Sequence, residues 1–246
     1  MVRWGFTIDL ERCVGCQSCV IACKAENGTP LNIHWMRVLE SNEETGRTFV
    51  PVRCNHCANP PCVSACPTGA FVQRKDGIVF VNNDVCIGSM ACLTACPYDV
   101  PYRWDGDEGY YGEEISGFEK FKRNLFSNPF KSSPNNDSTK GLTSFERIKR
   151  EDGRGMKIGT AQKCHFNYHR IDQGLAPACV EACPVDALDY GDLHDQESRI
   201  NLKLKQKNHF SPRAELGTKP SLFYLTGKGG AGISGVYDNP TTKDGE

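Results

Sequence analysis

The cysteines of this 246-residue chain fall into four groups with short, regular spacing, and no other feature constrains the fold as strongly. The first group follows C-x2-C-x2-C-x3-C, and the second follows C-x2-C-x4-C-x3-C with a proline directly after it. The third and fourth groups hold three cysteines and a following proline, and Ser89 and Asn167 occupy the slot of their second cysteine. The groups are Cys13, Cys16, Cys19 and Cys23; Cys54, Cys57, Cys62 and Cys66; Cys86, Cys92 and Cys96; and Cys164, Cys179 and Cys183.

Three kinds of cysteine chemistry compete to explain this spacing. Disulfides need an oxidising compartment, which nothing in the sequence signals, and cysteines two residues apart are strained partners. Zinc sites take four ligands from two separated pairs, which leaves the third and fourth cysteines and the proline unexplained. Iron–sulfur cubanes account for the whole pattern, because three closely spaced cysteines reach one cluster and the fourth binds its neighbour. The chain is therefore predicted to bind iron–sulfur clusters.

Composition and charge exclude several other functions. Hydrophobic residues make up 39% of the chain, but fourteen of these are cysteines, so the hydrocarbon core is thin. The 29 basic and 30 acidic residues balance, which argues against nucleic-acid binding. No Walker loop, dinucleotide fingerprint or metalloprotease histidine spacing is present. Catalysis is therefore not expected from this chain alone.

The sequence gives no sign of a membrane span or an export signal. No window approaches the ~20 apolar residues that cross a bilayer. The first residues run straight into a strand-like stretch, without a signal peptide or a twin-arginine pair. We therefore expect membrane association, in the cytoplasm or after export, to come through a partner.

An internal repeat organises the chain. Apolar runs flank Asp76-Gly77 and predict a β-hairpin, so residues 54–102 form a predicted ferredoxin-like unit of cysteine loop, helix, hairpin, cysteine loop and helix. The sequence around Cys183 echoes that around Cys66, and a strand-like stretch at 4–10 precedes the first cysteine group. Residues 1–53 and 160–191 are therefore predicted to form a second, split unit. The predicted fold class is α+β, with two ferredoxin-like two-cluster units, one nested inside the other.

Two further segments lie outside these units. Residues 103–159 form a predicted irregular insertion with a loop-like composition at 132–141, and we expect it to wrap a partner subunit, with solvated surface as the alternative. Residues 192–246 form a predicted C-terminal extension, polar apart from 222–225, and 227–246 are predicted to be a flexible linker.

The chain resembles the four-cluster iron–sulfur (beta) subunits of the molybdopterin oxidoreductase family that includes dimethyl sulfoxide reductase. The resemblance covers roughly residues 3–104 and 160–226 and is carried by IDLERCVGC at 8–16, CNHC at 54–57 and PACVEACP at 177–184. The stretches IHW at 33–35 and GTKPSLFY at 217–224 are most similar to the respiratory arsenate reductase branch, and also to polysulfide, thiosulfate and tetrathionate relatives.

The resemblance implies that ligands cross between cysteine groups. In such subunits the clusters form a wire, with the first nearest the catalytic subunit and the fourth nearest the membrane anchor or acceptor. The implied ligand sets are Cys13, Cys16, Cys19 and Cys183 for cluster 1; Cys23, Cys164, Cys179 and the Asn167 slot for cluster 2; Cys54, Cys57, Cys62 and Cys96 for cluster 3; and Cys66, Cys86, Cys92 and the Ser89 slot for cluster 4.

The two substituted slots change the expected cofactors. In nitrate reductase relatives, loss of the cysteine equivalent to Ser89 accompanies a three-iron cluster, so the resemblance implies 3Fe-4S at cluster 4, with a serine alkoxide as the alternative. At cluster 2, either 3Fe-4S or a 4Fe-4S cluster with a non-cysteine ligand is expected. That ligand is Asn167 itself or an imidazole of His165 or His169, as in Rieske centres, unless these histidines are ordinary hydrogen-bonded residues. Clusters 1 and 3 are expected to be 4Fe-4S.

The function implied by the resemblance is electron transfer in anaerobic respiration. The chain would link a catalytic subunit holding molybdenum or tungsten on a molybdopterin to a quinone-linked membrane subunit or a soluble carrier. Two alternatives stay open at this point. One is a free-standing polyferredoxin or an electron-transfer subunit of a hydrogenase or formate dehydrogenase, and the other is a subunit whose clusters do not conduct.

Overall fold

The computed structural model describes residues 1–29, 33–43, 46–105 and 157–227. Its helices are short, and most of them begin beside a cysteine. They are α1 (Ser18–Asn27), α2 (Pro61–Ser64), α3 (Ala91–Ala95), α4 (Tyr168–Ile171), α5 (Ala178–Glu181), α6 (Arg199–Gln206) and a 3-10 turn at Ala214–Leu216. The strands are β1 (Trp4–Asp9), β2 (Met36–Glu43), β3 (Gly46–Arg53), β4 (Phe71–Gln73), β5 (Val79–Val81), β6 (Tyr102–Arg103), β7 (Ala161–Gln162), β8 (Leu188–Asp192), β9 (Asn208–Phe210) and β10 (Leu222–Thr226).

The largest sheet joins the two ends of the described chain. Its strand order is β8-β1-β10-β9, with β1 antiparallel to β8 and parallel to β10. Strand β1 is buried continuously from Gly5 to Asp9, as expected for a central strand that is covered on both faces. The strand predicted at 4–10 is therefore confirmed, and it forms the centre of the sheet.

Two hairpins flank this sheet. The hairpin predicted around Asp76-Gly77 is confirmed, because β4 pairs with β5 and Phe71 lies opposite Val81. The longer hairpin of β2 and β3 was not predicted, and the end of β3 is buried at every residue from Val50 to Arg53. The β2–β3 hairpin places Arg53 at the end of β3, directly before the second cysteine group.

Helices from different parts of the chain pack as pairs. Helix α1, which carries Cys19 and Cys23, packs against α5, which carries Cys179. Helix α2 packs in the same way against α3, and these helices carry Cys62 and Cys92. Each pair therefore combines one cysteine-bearing helix from an earlier cysteine group with one from a later group.

The segment after Asp192 is part of the core, whereas the sequence analysis treated it as a polar extension. Strand β10 lies between β1 and β9, and Leu222, Tyr224 and Leu225 are fully buried. Helix α6 packs against β8 and is capped by Ser198, whose hydroxyl accepts from the Asn201 backbone N–H at 3.4 Å. The apolar run at 222–225, which the sequence analysis set apart from the polar remainder of the extension, is therefore a buried strand of the main sheet.

Several predictions fall outside the described residues. Most of the insertion predicted at 103–159 lies there, and its ends are strand β6 and residues 157–159. The linker predicted at 227–246 also lies outside, apart from residue 227. Across the ranges that the structure covers, no helix has the length and apolar character needed to cross a bilayer.

Candidate metal centres

Each cysteine group begins with a loop that turns through the left-handed region of backbone conformation. The residue two positions after the first cysteine has a positive φ in all four loops. These residues are Gly15 at 70°, His56 at 42°, Gly88 at 72° and Phe166 at 66°. The turn points the loop's backbone N–H groups inward, toward the space that the thiols enclose, and it repeats four times in one chain.

In two of these loops, both the positive φ and the lack of space for a Cβ require glycine. A Cβ at Gly15 would collide with the Phe49 ring, and a Cβ at Gly88 would collide with the Gly159 carbonyl oxygen. In the other two loops the side chains of His56 and Phe166 turn into the interior and are buried. At these two positions, packing of the buried side chain in the core offsets the cost of the strained backbone.

The cysteine–proline pairs form a second repeated turn. The backbone N–H three residues after the cysteine donates to the cysteine carbonyl oxygen, at 3.3 Å for Cys66, 3.3 Å for Cys96 and 3.4 Å for Cys183. Proline occupies the second position of each turn, where its fixed φ fits. The residue that donates has a positive φ in each case, and these residues are Gly69, Asp99 and Asp186.

The thiols converge in four sets that cross between the cysteine groups. All fourteen cysteines are free thiols. Cysteines that lie near enough to perturb one another's pKa are Cys13, Cys16, Cys19 and Cys183; Cys23, Cys164 and Cys179; Cys54, Cys57, Cys62 and Cys96; and Cys66, Cys86 and Cys92. The charge of Cys179 also raises the pKa of Cys19, so the first two sets are neighbours. Each set groups the cysteines that the resemblance implies for one cluster.

Among the described residues, no three His, Cys, Asp or Glu side chains form a group that would hold one ion. Burial raises the pKa of Cys19, Cys57 and Cys62 to about 12, and that of Cys92 and Cys179 to about 11. These thiols therefore become thiolates only when a positively charged group, such as iron, is bound between them.

Two buried cations lie among the thiol sets. Arg53 is 2% exposed and Lys163 is 3% exposed. Arg53 Nη1 lies 4.0 Å from Cys179 Sγ, while its Nε and Nη2 have no hydrogen-bond partner. Lys163 Nζ donates to the carbonyl oxygens of Val79 and Cys164, and within the described residues neither cation pairs with a carboxylate. Burying an unpaired cation costs several kcal/mol, so these residues fit anionic groups such as thiolate-ligated iron–sulfur clusters.

His56 is a buried histidine beside the third thiol set. Its Nδ1 accepts from the Val79 backbone N–H at 3.0 Å, so the hydrogen of the neutral ring is on Nε2. Burial, with Lys163 and Arg53 next, lowers the pKa of His56 well below its usual value and keeps the ring neutral. Nε2 is buried without a partner, and His56 lines the cavity around Cys54, Cys57, Cys62 and Cys96.

The Asn167 side chain is held by other protein groups. Its Nδ2 donates to Asn27 Oδ1 at 2.8 Å, and its Oδ1 accepts from the Ala178 N–H at 3.3 Å. Asn27 in turn donates to the Cys23 carbonyl oxygen at 2.8 Å. The Asn167 amide therefore connects the helices that carry Cys23 and Cys179, and neither of its polar atoms is free.

The two histidines named as substitute ligands also have partners. His165 Nδ1 accepts from the Asn167 N–H at 3.1 Å, and its ring packs edge-on against Trp35. His169 Nε2 lies 2.8 Å from a carboxylate oxygen of Glu26. These contacts favour the interpretation of both histidines as ordinary hydrogen-bonded residues.

Ser89 has a different environment from Asn167. It is exposed, and it lies between Gly88 and Met90, which both have positive φ. The set of Cys66, Cys86 and Cys92 therefore has three thiols, and the exposed Ser89 lies on the loop that follows Cys86.

Sequence reasoning missed the buried cations and His56, although a signal was present. A basic residue directly precedes the first cysteine of three groups, as Arg12, Arg53 and Lys163. Arg12 is exposed, so only the structure separates a surface charge from the two buried ones.

Comparisons with known proteins agree with this geometry. A family model described as a 4Fe-4S dicluster domain matches residues 46–111 and 148–193. A second model with the same description matches residues 12–70. The first match spans the central cysteine groups and continues on the far side of the insertion.

Similar proteins are iron–sulfur subunits of reductases. The arsenate respiratory reductase iron–sulfur subunit of Shewanella sp. strain ANA-3 is 39% identical, covering 91% of this chain and 96% of the relative. This protein belongs to the same family of reductase iron–sulfur subunits. A tetrathionate reductase subunit from Salmonella typhimurium is 35% identical, over 91% of this chain and 72% of the relative. A polysulfide reductase subunit from Wolinella succinogenes is 32% identical, over 93% of this chain and 96% of the relative.

Family membership confirms the central prediction from the sequence. The chain is a non-catalytic electron-transfer subunit that binds iron–sulfur clusters. The ferredoxin-like character of the fold and its mixed helix and strand content are also confirmed. The free-standing polyferredoxin is the less favoured alternative.

Proposed function

We propose that this subunit carries four iron–sulfur clusters and passes single electrons along them between a catalytic subunit and an acceptor. The observation that carries the proposal is the convergence of fourteen thiols into four sets, of which the second and third lie beside the buried cations Arg53 and Lys163. The two matches to 4Fe-4S dicluster models overlap at residues 46–70 and together cover all four cysteine groups.

The proposed ligand sets are those implied by the resemblance. Clusters 1 and 3 have four cysteines each and are proposed to be 4Fe-4S. Clusters 2 and 4 have three each, and a three-iron 3Fe-4S cluster is proposed for cluster 4. The hydrogen bonds of Asn167 support a 3Fe-4S form at cluster 2 as well, in preference to a non-cysteine ligand.

The proposed domain organisation follows from how the elements pair. Strand β1 pairs with β8, and helix α1 packs on α5, which supports a split unit at 1–53 and 160–191. Strands β4 and β5 pair together, and α2 packs on α3, which supports a nested unit at 54–102. The insertion at 103–159 is proposed to wrap a partner, and 192–246 is proposed as an extension whose residues 222–226 complete the split unit's sheet.

The chain's own residues prepare each site for electron transfer. Bound clusters supply one-electron redox chemistry. The set of Cys23, Cys164 and Cys179 is fully buried, which would exclude water from cluster 2, and the loop glycines allow backbone N–H groups to approach the cluster sulfurs. Arg53, Lys163 and the Nε2 hydrogen of His56 offset the negative charge that the thiolates bring into the core.

The proposed partners come from the family. The relatives are named as subunits of arsenate, tetrathionate and polysulfide reductases, so each works beside other chains. For this chain we propose a catalytic subunit that holds molybdenum or tungsten on a molybdopterin. On the acceptor side we propose a quinone-linked membrane subunit or a soluble carrier, which would also account for membrane association.

The experiment that tests this proposal is anaerobic purification of the native complex from its source. Mass spectrometry would identify the subunits, and metal analysis would measure iron, molybdenum, tungsten and zinc. We expect a large subunit containing molybdenum or tungsten to copurify with this chain. Purification of the chain alone, with iron but neither of these metals, would instead favour the polyferredoxin alternative.

A further inference from the structure

Arg53 is the largest fully buried side chain of the described protein. It ends strand β3, and its guanidinium carbon lies 3.9 Å from the centre of the Phe6 ring and 4.6 Å from that of Phe166. Phe6 comes from β1, and Phe166 comes from the loop that follows Cys164. The two rings hold the guanidinium in one position and keep water away from it.

The thiols around Arg53 come from two different sets. Arg53 Nη1 lies 4.0 Å from Cys179 Sγ, and Arg53 directly precedes Cys54 in the chain. Cys23, Cys164 and Cys179 belong to the second set, whereas Cys54 belongs to the third. Arg53 therefore lies between the proposed positions of clusters 2 and 3.

The charge of Arg53 is permanent and otherwise uncompensated. A guanidinium does not lose its proton in proteins. Two of its nitrogens have no hydrogen-bond partner, and no carboxylate from the described residues reaches it. A cation held in this way requires negative charge nearby, which only the two thiol sets and what they bind would supply.

We propose that Arg53 is a positioning residue for electron flow, a fixed positive charge shared by clusters 2 and 3 that raises the reduction potential of both. The inference rests on the proposed function, because it needs clusters at both sets. When either cluster accepts its one electron, its negative charge increases, and a nearby cation stabilises the reduced form. In the low dielectric between the two phenyl rings this attraction is poorly screened. Arg53 therefore keeps both middle clusters reducible by their neighbours.

Lys163 provides a comparison within the same core. It lowers the pKa of Cys62 and Cys96, which both belong to the third set. Burial raises the pKa of each of these thiols by more than Lys163 lowers it. Lys163 Nζ also donates to the carbonyl oxygen of Cys164 at 2.8 Å, so this cation lies beside the second set as well as the third.

The test is a redox titration of the anaerobic complex, followed by electron paramagnetic resonance so that each cluster is observed separately. In Arg53→Met the side chain keeps much of its length and loses its charge. We expect the reduction equilibrium constant of clusters 2 and 3 to fall at least tenfold. For a one-electron couple this is a shift of the reduction potential by about 59 mV to a more negative value. Clusters 1 and 4 should stay unchanged, and Arg53→Lys should preserve much of the wild-type potential.

Two further variants serve as controls. Arg47→Met removes an exposed arginine from the same strand, where Arg47 Nε lies 2.8 Å from Glu40 Oε1, and should shift none of the clusters. Lys163→Met removes the second buried cation, whose Nζ donates to the carbonyl oxygens of Val79 and Cys164, and should leave clusters 1 and 4 unchanged. Equal potentials in wild type and Arg53→Met, with all clusters assembled, would overturn the inference. Absence of iron from the wild-type complex would instead overturn the proposed function.

A second measurement does not depend on assembly of the variant. In wild-type complex grown with 15N-labelled arginine, electron–nuclear hyperfine spectroscopy should detect a 15N coupling at both reduced clusters 2 and 3. A coupling at one cluster only, or at neither, would contradict the shared position of Arg53.

Discussion

Ser89 and Asn167 occupy the same slot of two cysteine groups, but their side chains have different surroundings. Asn167 is 5% exposed, and both polar atoms of its amide are hydrogen-bonded. Ser89 is exposed on a loop beside three cysteines. From the sequence alone each residue is either a missing ligand or a substitute for the cysteine. In the structure the Asn167 amide connects two helices, whereas the Ser89 side chain is exposed to solvent.

Replacement of Asn167 by alanine tests its role between the helices. Asn167→Ala leaves Asn27 Oδ1 and the Ala178 N–H buried without their partner, which costs about 1–3 kcal/mol for each group. We expect a lower free energy of unfolding, measured by anaerobic guanidinium unfolding. Asn208→Ala, which removes an exposed asparagine with a 3.5 Å contact to the Gly227 carbonyl oxygen, should change stability by less than about 0.5 kcal/mol. Equal stability of the two variants would argue against the role of Asn167.

Introduction of a thiol at position 89 tests the cluster type. Ser89→Cys restores the fourth cysteine of the set that contains Cys66, Cys86 and Cys92. We expect one oxidised-state three-iron signal to disappear from the paramagnetic resonance spectrum, with a gain of iron per chain. If the wild-type spectrum has no three-iron signal, or the variant spectrum and iron content are unchanged, the 3Fe-4S assignment of cluster 4 is wrong.

The cysteine loops illustrate how an element depends on backbone conformation as well as on ligands. All four loops turn at a residue with positive φ, but only Gly15 and Gly88 also lie against neighbouring groups that exclude a Cβ. His56 and Phe166 tolerate the same conformation because their side chains pack in the core. The position with positive φ is therefore glycine where a neighbouring group leaves no space for a Cβ, and a large buried residue where the side chain packs in the core.

Gly88 and Gly174 form a matched pair for testing the loop. Both have a positive φ, of 72° and 74°, but a Cβ at Gly174 has nothing within 4 Å, whereas one at Gly88 meets the Gly159 carbonyl. Gly174→Ala should therefore cost about 1–2 kcal/mol and keep all iron. Gly88→Ala should displace the Cys86 loop and selectively lose cluster 4, as measured by iron content and paramagnetic resonance. Full iron content in Gly88→Ala would show that the loop adapts.

Strand β10 lets the C-terminal part of the described chain stabilise the N-terminal part. Tyr224 is fully buried, stacks on Phe210 at 5.5 Å and donates its hydroxyl to the Pro51 carbonyl oxygen at 2.8 Å. Tyr224→Phe should cost about 1 kcal/mol through the lost hydrogen bond. Tyr224→Ala should cost about 3–5 kcal/mol through the cavity, measured by the same unfolding experiment. A cost under about 1 kcal/mol for the alanine variant would mean that β10 is peripheral.

At the scale of the whole molecule, the sequence predicted what depends on local spacing. The β4–β5 hairpin was predicted because Asp76-Gly77 separates two adjacent apolar runs. The place of β10 was not predicted, because its partner β1 lies more than two hundred residues away and a short apolar run does not indicate a neighbour. Arg53 was missed for a similar reason. Its burial depends on Phe6 and Phe166, which come from the two separate parts of the split unit.

The central claim is that the whole molecule carries four clusters that conduct electrons. The most direct measurement is a reductive titration of the anaerobic complex with dithionite, combined with iron, sulfide and zinc analysis of this chain. The account predicts four distinct one-electron centres that are reduced in turn and reoxidised when the complex is supplied with its acceptor. Zinc in place of iron, fewer than four centres, or clusters that dithionite does not reduce would contradict it.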